Sequence, residues 1–460
     1  MPGSSTYESA ETNFWSLTEQ LSPTCYYLPN SAEEVAQAVG MFVENNCTFS
    51  IKGGGHSAIP GAANIEEGVA MLMQNLNQLV VSDDRKTVVI GPGNLMGDIY
   101  KGTDPYNLTA MAGRYSTVGT GVFIGAGFNY LFNKNGFAAD NLVNFEVVLA
   151  NATIVNANAT SNPDLFKVLK GGNSNFGVVT SFTALTEETE GSIWGGTVYY
   201  NETYLEQVKD QVYDYHVNQA VNDVLTHIMP CYGYNGTTDS ALSFPPIMYN
   251  AALDDFPEVF KGWADIPYYD STTHNRQYYD LAVELGEGFA DGLVQQQRDF
   301  TVFADKQLYS DLWDNFLAWC KGYQDIEGFY CFHVNMPITP RAVQQGIDKG
   351  GNILGLEGEG DRVMATIYFG VTFNNLSDQD VVFPAHEDFV NSQIEIAKER
   401  GLFHEYVMVT YCGYDQKALA SYGTENVDFM YAVQEAYDPT YVFQKLVPGG
   451  QKLGIPSSSC

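Results

Sequence analysis

The stretch Ile51-Lys52-Gly53-Gly54-Gly55-His56-Ser57 decides how this chain is interpreted. Its three successive glycines leave a short loop without side chains, so backbone N–H groups can approach a diphosphate closely. The histidine that follows is held beside whatever the loop binds, and a neutral imidazole is a nucleophile near neutral pH. The run therefore indicates either a cofactor that is both held and bonded, or a glycine-rich turn with a structural histidine.

The residues around this loop predict alternating helices, strands and glycine turns. A capping box at Ser31-Ala-Glu-Glu34 opens a helix whose apolar residues recur at helical spacing as far as Val43. A short strand over residues 48–52 leads into the loop, and another over residues 88–90 ends at a Gly-Pro-Gly turn.

Two further glycine-rich regions follow. Residues 113–136 contain six more widely spaced glycines, but they lack a dinucleotide fingerprint because Tyr130 stands where the third glycine is required. A predicted hairpin over residues 144–157 comes next. A third glycine turn at residues 171–177 then leads into a strand over residues 178–185. The first part of the chain therefore carries three separate glycine elements.

Length and charge limit the classes of protein to consider. The chain has 460 residues, of which 45% are hydrophobic, so it is globular with two to three domain-sized units. Its formal net charge of −33 makes nucleic acid and anionic membranes unfavourable partners. No transmembrane span or N-terminal signal segment is evident, although a signal removed before this numbering begins would leave no trace.

Sequons and cysteines favour a secretory route. Asn-x-Ser/Thr sequons begin at Asn46, Asn107, Asn151, Asn158, Asn201, Asn235 and Asn375. The seven cysteines include no C-x-x-C pair and no Cys/His cluster with zinc spacing, so no metal site is expected. Cys25 and Cys47 flank a short helix that could bring them together, and a disulfide there would agree with secretion.

The composition changes near residue 190, where aromatic residues become frequent and glycine clusters thin out. Helix-like stretches alternate with strand-like ones, which predicts an antiparallel sheet with covering helices. The helix-like stretches are 205–215, 309–320 and 385–400, and the strand-like ones are 364–373 and 406–411. A last helical stripe over residues 427–437 stops at Asp438-Pro439.

Several motifs match one family pattern in order along the chain. They read SIKGGGHS, STVGTGVFIGAG, NKNGFAADNLVNFEVVLANATIVNANATSNPDLFKVLKGGNSNFGVVTSF and SYGTENVDFMYAVQEAYDPTYVFQKLVPGGQKL. On these motifs the chain resembles the FAD-linked oxidases of the vanillyl-alcohol-oxidase (PCMH-type FAD-binding) superfamily, in particular the fungal berberine-bridge-enzyme-like branch. The resemblance implies an α+β fold of two domains. Residues 1–190 and 415–460 would form the FAD-binding domain, and residues 191–414 an inserted substrate domain.

The resemblance also implies how the cofactor is held. FAD would be bonded through His56 to the methyl carbon on its benzenoid ring, and Cys25–Cys47 would be a disulfide. Tyr115 stands where many relatives carry a cysteine that forms a second bond to the flavin, so a single tether is expected. The other implied cofactor-binding residues are Lys52, Gly53, Gly54, Gly55, Ser57, Gly113, Thr117, Gly119, Gly121, Asn141, Gly177 and Val179.

The residue that removes a proton from the substrate is sought among tyrosines. A tyrosine whose pKa is lowered by a nearby cation or by the flavin suits this task. Tyr411 and Tyr414 lie where the substrate domain returns to the flavin domain, and Tyr115 is placed to line the pocket. Thr410 replaces an asparagine that usually precedes the tyrosine. Two acidic residues, Asp361 and Glu357, are weaker candidates.

The leading expectation is an oxidase that dehydrogenates a small alcohol, a phenolic or polyketide-type metabolite or a sugar. Dioxygen would accept the electrons and leave as hydrogen peroxide, because the flavin carries the redox chemistry. An oligosaccharide oxidase and a non-redox isomerase or cyclase are the alternatives, and a binding or storage protein without catalysis is a third class. A monomer or weak dimer is expected.

Overall fold

The computed structural model describes residues 2–288 and 290–456, without the side chain of Thr6, and its fold combines helices with separate sheets. Cys460 lies outside the described residues. The helices in the described part are α1 (Ser5–Glu11), α2 (Ala32–Glu44), α3 (Met96–Thr103), α4 (Phe132–Asn135), α5 (Pro163–Leu169), α6 (Leu205–Asp214), α7 (Ala220–Asn222), α8 (Lys261–Ala264), α9 (Tyr278–Glu287), α10 (Lys306–Cys320), α11 (Pro340–Asp348), α12 (Gln379–Glu399), α13 (Thr424–Tyr437) and α14 (Val442–Lys445). Across the same residues, no helix is long and apolar enough to cross a membrane.

Two small sheets lie in the first part of the chain. In the described residues, the first is parallel with strand order β1-β3-β2, and the second has order β4-β5-β9-β7-β8, with β6 paired to β9. The strands are β1 (Cys25–Tyr27), β2 (Phe49–Lys52), β3 (Val69–Leu72), β4 (Leu79–Val81), β5 (Thr87–Ile90), β6 (Leu108–Ala110), β7 (Leu142–Val148), β8 (Ile154–Asn158) and β9 (Val178–Glu188). The glycine loop with His56 therefore follows directly after β2.

A larger sheet takes its strands from the middle of the chain. Its order is β11-β14-β10-β13-β12-β18-β19-β17-β20, with β15 and β16 paired to β10, and its pairs are antiparallel. The strands are β10 (Ile193–Asn201), β11 (Thr226–Ile228), β12 (Cys231–Asn235), β13 (Ser240–Ser243), β14 (Pro246–Tyr249), β15 (Asp270–Ser271), β16 (His274–Arg276), β17 (Val294–Phe303), β18 (Tyr330–Ile338), β19 (Met364–Phe373) and β20 (Phe403–His404). The predicted antiparallel sheet is thus present.

The two faces of this sheet have different neighbours. Side chains alternate across a strand, so one set of β19 residues, including Ile367 and Phe369, packs in a core with α6, α10 and α12. The opposite face carries Phe332 and Val334 of β18 and Tyr368 of β19, which belong to the core that extends to the first part of the chain. The helices therefore cover one face of the sheet, and the other face is turned towards the first part of the chain.

The C-terminal segment packs against the start of the chain. Val442 and Phe443 of α14 share a core with Phe49 of β2, and the Phe49 N–H donates to the carbonyl of Leu446 (2.7 Å). Asp438 caps α14 by accepting the N–H groups of Val442 and Phe443. These contacts suit a domain built from both ends, but the boundaries at residues 190 and 414 remain predictions.

The prediction of a strand over residues 406–411 is wrong. The segment turns, because the Tyr411 N–H donates to the Met408 carbonyl (2.9 Å). The Met408 N–H, which a β partner would need, donates instead to the buried carboxyl of Asp299 (2.8 Å). The turn carries Tyr411 away from a sheet position and towards the cavity described below.

The predicted Cys25–Cys47 disulfide is also wrong, since both cysteines are free. Cys25 of β1 and Phe49 of β2 both pair with Val69, so β3 lies between the two outer strands. Two strand spacings amount to roughly 10 Å, which is beyond the reach of a disulfide. A disulfide that the sequence analysis missed instead joins Cys320 at the end of α10 to Cys331 of β18.

Replacing Cys320 and Cys331 together with alanine is expected to lower the free energy of unfolding by about 3 kcal/mol. The bond closes a loop across 11 positions of the chain. Its loss raises the conformational entropy of the unfolded chain, which lowers the stability by an amount of that order. Urea unfolding followed by circular dichroism measures the change. The matched control is the Cys25→Ala, Cys47→Ala double variant, for which an equally large loss would contradict this assignment.

Candidate active site

Two glycine loops touch each other through their backbones. A Cβ atom on Gly54 would lie 2.6 Å from the Gly119 nitrogen, and a Cβ on Gly119 would lie 2.2 Å from the Gly54 nitrogen. Neither separation is possible between real atoms, so both positions require glycine. An isolated bridge between Leu95 and Gly119 holds the second loop in place. The contact joins the loop that ends in His56 to the loop that follows Arg114 and Tyr115.

Gly54→Ala is expected to destabilise the protein by about 2 kcal/mol or more, because the added carbon meets the backbone of Gly119, which cannot move aside alone. Thermal melting of the purified protein measures the effect. Gly322→Ala is the matched control, since a Cβ at Gly322 meets no atom within 4 Å. Equal melting temperatures for the two variants would contradict the backbone contact.

His56 is stacked and uncharged. The Trp15 ring lies nearly parallel to the imidazole at a centroid distance of 4.3 Å, and the backbone N–H of Trp15 donates to the Gly55 carbonyl (3.1 Å). Burial lowers the pKa of His56 to about 4, because desolvation penalises the imidazolium. The ring therefore keeps a free nitrogen lone pair at neutral pH, as a nucleophile requires.

A cavity runs from the glycine loops to the uncovered face of the large sheet. Most of the residues singled out in the sequence line it together. They are Gly53, Gly54, Gly55, His56, Ser57, Gly113, Tyr115, Gly119, Gly121, Gly177, Val179 and Tyr411. Four segments far apart in the sequence, at residues 53–57, 113–121, 177–179 and 411, thus meet at one site.

Other sequence candidates lie outside the lining of this cavity. Lys52 is buried with its ammonium over the Phe14 ring (4.6 Å), and desolvation lowers the pKa of this lysine to about 8. Asn141 donates to the Phe137 carbonyl (2.7 Å), so it supports a turn. The remaining candidates are exposed: Thr117, Tyr414, Glu357 and Asp361. Tyr414 is 59% exposed, which leaves it facing solvent.

Tyr411 is held by a cation that the sequence analysis missed. The Arg114 guanidinium donates to the Tyr411 hydroxyl at 2.5 Å, and its carbon lies 5.6 Å from the Phe128 ring centroid. Burial raises the pKa of Tyr411, and the Arg114 charge opposes that rise. Arg114 directly precedes Tyr115 in the sequence, but no local pattern there indicated its contact with residue 411.

Tyr115 also lies in the cavity. Its hydroxyl is 3.6 Å from the Met229 sulfur, and burial raises the pKa of this phenol well above its usual value. The neighbouring wall is largely apolar or weakly polar. It is formed by Met229, Cys231, Phe244, Phe332, Val334 and Val409, with Gln297 and Tyr368 as polar members.

The glycine loops, His56 and Tyr411 with its Arg114 partner thus share one cavity. A profile of the family described as "FAD binding domain" matches residues 23–158. The chain is 30% identical to the FAD-dependent monooxygenase sdcF of Emericella nidulans, over 98% of this chain and 95% of that protein.

Two solved structures share the fold across nearly their whole length. The berberine-bridge-enzyme-like protein 1 of Physcomitrella patens has a TM-score of 0.75 at 18% identity, covering 96% of this chain and 94% of that one. The glucooligosaccharide oxidase of Acremonium strictum has a TM-score of 0.74 at 19% identity, covering 99% and 97%. The chain belongs to the same family of FAD-dependent oxidoreductases as the Emericella nidulans relative, and it is an FAD-dependent enzyme.

The residues of the cavity fit this cofactor. The indole N–H of Trp15 and the hydroxyl of Thr410 are buried without a hydrogen-bond partner among the described residues, and both residues line the cavity. Such groups are costly unless a ligand pairs with them. A Cβ on Gly121 would meet no atom within 4 Å, so this glycine leaves open space at the cavity wall. Unpaired polar groups beside bare glycine backbone are what a large, acceptor-rich cofactor requires.

Proposed function

We propose that this enzyme is an oxidase that dehydrogenates a small aromatic or polyketide-type alcohol and passes the electrons to dioxygen, forming hydrogen peroxide. The observation that carries the proposal is the cavity itself, which joins neutral His56 to the paired Arg114 and Tyr411. FAD supplies the hydride acceptor and the reaction with dioxygen. The chain supplies a proton acceptor, an anchor and a pocket.

His56 is proposed as the single covalent anchor of the flavin. Its stacking on Trp15 fixes the ring, and its low pKa leaves a nitrogen free to form the bond. The glucooligosaccharide oxidase of similar fold carries a 6-S-cysteinyl, 8α-N1-histidyl FAD. Tyr115 lines the cavity here and carries no thiol, which supports one tether rather than two.

Tyr411 is proposed as the base that takes the hydroxyl proton while the adjacent carbon gives up hydride. A phenolate at this position has the Arg114 guanidinium as its hydrogen-bond donor, at 2.5 Å. Burial raises the pKa of Tyr411, and the charge-assisted bond from Arg114 opposes that rise by stabilising the ionised form that a base requires. Thr410 precedes it and carries a buried hydroxyl without a partner among the described residues, so it is proposed to contact the cofactor.

The cavity wall favours an aromatic or polyketide-type substrate over a sugar. Sugars are bound through many hydrogen bonds, whereas the sheet side of this cavity presents Phe244, Phe332 and Val334. Few polar side chains accompany them. An apolar, flat molecule loses less hydration on entering such a pocket.

The Cys320–Cys331 disulfide and the sequons support a secretory route for this enzyme. Five of the seven sequon asparagines are exposed: Asn46, Asn107, Asn151, Asn201 and Asn375. Exposure is what glycosylation requires. Peptide mass spectrometry of the protein from its native source tests the modification directly.

Monooxygenation is the second candidate, because the 30% identical relative is named an FAD-dependent monooxygenase. That reaction needs an outside reductant such as NADPH and transfers one atom of dioxygen to the product. The proposed oxidase reaction needs no reductant and releases one hydrogen peroxide per substrate oxidised. A non-redox isomerase or cyclase would consume no dioxygen at all.

The deciding experiment mixes the purified enzyme with panels of phenolic and benzylic alcohols and of oligosaccharides. In the absence of oxygen, a substrate of an oxidase should bleach the yellow flavin. In air, peroxide should form in equal amount to the product, without NADPH. Turnover that requires NADPH and labels the product from ¹⁸O₂ would replace the proposal with monooxygenation. Anaerobic turnover over many cycles without bleaching would replace it with a non-redox reaction.

A further inference from the structure

Arg114 differs from the other buried arginines of this protein. Arg276 donates to Glu284 and Arg298 to Asp415, each at 2.5 Å. Arg114 is 5% exposed, and within residues 2–288 and 290–456 no carboxylate lies within 4 Å of its guanidinium. A buried cation without an anion is unfavourable. The arrangement therefore calls for a negative charge that the described chain does not provide.

The groups around Arg114 are held in their neutral forms. Burial raises the pKa of Tyr115 well above its usual value and that of the Cys231 thiol to about 12. Burial and the Arg114 charge lower the pKa of His227 well below its usual value. Tyr130 and Tyr411 are likewise raised. The guanidinium is thus the dominant charge in this part of the cavity at neutral pH.

The hydrogen bonds of the guanidinium leave one side weakly satisfied. One terminal nitrogen donates to the Tyr411 hydroxyl, and the other faces the sulfur of Met336 at 3.0 Å. A thioether is a weak acceptor. A carboxylate or phenolate oxygen arriving from the cavity, which Arg114 lines, would be a much stronger partner.

We propose that Arg114 binds an anionic oxygen attached to an aromatic ring of the substrate, either a carboxylate or an ionised phenol. The apolar side chains beside it, such as Phe332 and Val334, receive the ring, and the guanidinium receives the charge. This inference rests on the proposed function, because it takes the cavity to be the substrate pocket. It narrows the proposed substrate to an aromatic alcohol that also carries a carboxylate or an acidic phenol.

Ligand binding to the oxidised holoenzyme tests the inference without any turnover. The probes are 1-naphthoate and 1-naphthamide, which have nearly the same shape and differ by one charge, and binding is followed through the visible absorbance of the flavin. In the wild type, naphthoate is expected to bind about 30-fold more tightly than naphthamide, as a charge-assisted bond predicts. Arg114→Gln should remove most of this ratio while changing the naphthamide affinity less than about threefold.

Two further variants separate charge from structure. Arg114→Lys keeps the positive charge and should retain part of the preference for naphthoate, even if Arg114→Gln holds flavin poorly. Tyr411→Phe removes the hydroxyl partner but not the cation, so it should keep the ratio. 4-Cyanophenol, titrated above and below its own pKa, distinguishes a phenolate site from a carboxylate site.

Equal affinities for naphthoate and naphthamide in the wild type would overturn the inference, as would a ratio that survives Arg114→Gln. These outcomes are separate from the fate of the oxidase proposal. If naphthoate is preferred and no alcohol yields peroxide, the anion site stands and the oxidase proposal fails. If peroxide forms from alcohols but charge has no effect on binding, the oxidase proposal stands and the anion site at Arg114 fails.

Discussion

Tyr411→Phe is expected to lower kcat by about 100-fold or more while flavin content and melting temperature stay near those of the wild type. The phenylalanine keeps the ring that packs beside Tyr368 and Phe128 but removes the proton acceptor. General bases commonly contribute 10²–10⁴-fold, so the loss should exceed any effect on KM. Stopped-flow bleaching of the flavin under anaerobic conditions measures the affected step directly.

The rate of this flavin-bleaching step should rise with pH. Tyr411 must be ionised to accept a proton, and burial raises its pKa above the usual value of 10.0. Below that pKa the ionised fraction falls tenfold per pH unit, so the rate should climb through the alkaline range. Arg114 lowers the pKa, whereas Asp299 and Cys231 raise it. Arg114→Gln should therefore move the rise to still higher pH.

Tyr414→Phe is the matched control for Tyr411→Phe. Tyr414 is three positions away but 59% exposed and outside the cavity lining, so its variant should keep kcat within about twofold of the wild type. If the Tyr411 variant retains more than a tenth of the activity, Tyr411 is not the base. A large loss in the Tyr414 variant would contradict the location of the site.

His56→Ala is expected to abolish acid-stable flavin. In the wild type the yellow colour should stay with the protein after acid precipitation, whereas in the variant it should remain in the supernatant. A histidyl bond withdraws electrons from the flavin, so the flavin that the variant still binds should be a weaker oxidant, and kcat should fall about tenfold. Denaturing gels viewed under ultraviolet light provide an independent readout of the bond.

His274→Ala is the control for this variant, because His274 is exposed and lies on β16, away from the cavity lining. It should keep fluorescent flavin on the denaturing gel. Acid-stable flavin in His56→Ala would show that another residue forms the bond. Acid-labile flavin in the wild type would show that the cofactor is held without a covalent bond.

Local sequence patterns were sufficient to predict the features that depend on residues close together in the sequence. The glycine run of residues 53–55 predicted a bare backbone loop, and the capping box at Ser31 predicted α2, whose first turn it does cap. The aromatic-rich middle of the chain predicted an antiparallel sheet with helices, which the alternating faces of β18 and β19 bear out. In each case the residues that decide the structure are neighbours in sequence.

Sequence patterns failed where a residue distant in the sequence determined the local structure. The pattern of residues 406–411 predicted a strand, but the Met408 N–H donates to the Asp299 carboxyl and the segment turns. Cys25 and Cys47 flank a short helix, which predicted a disulfide, but β3 lies between the strands that follow or carry them. Tyr414 was a candidate equal in kind to Tyr411, and only the tertiary structure distinguishes them: Tyr411 lines the cavity and contacts Arg114, whereas Tyr414 is exposed.

The sequence by itself predicted the bare glycine loop, the position of its histidine and the family, because contiguous glycines and ordered motifs need no knowledge of distant contacts. Only the tertiary structure decided which tyrosine faces the cavity and which cation meets it. Arg114 and Tyr411 lie 297 positions apart, and their hydrogen bond exists because the glycine loops and the large sheet line one cavity. Electrostatic contacts depend on distance in space, which sequence spacing does not report.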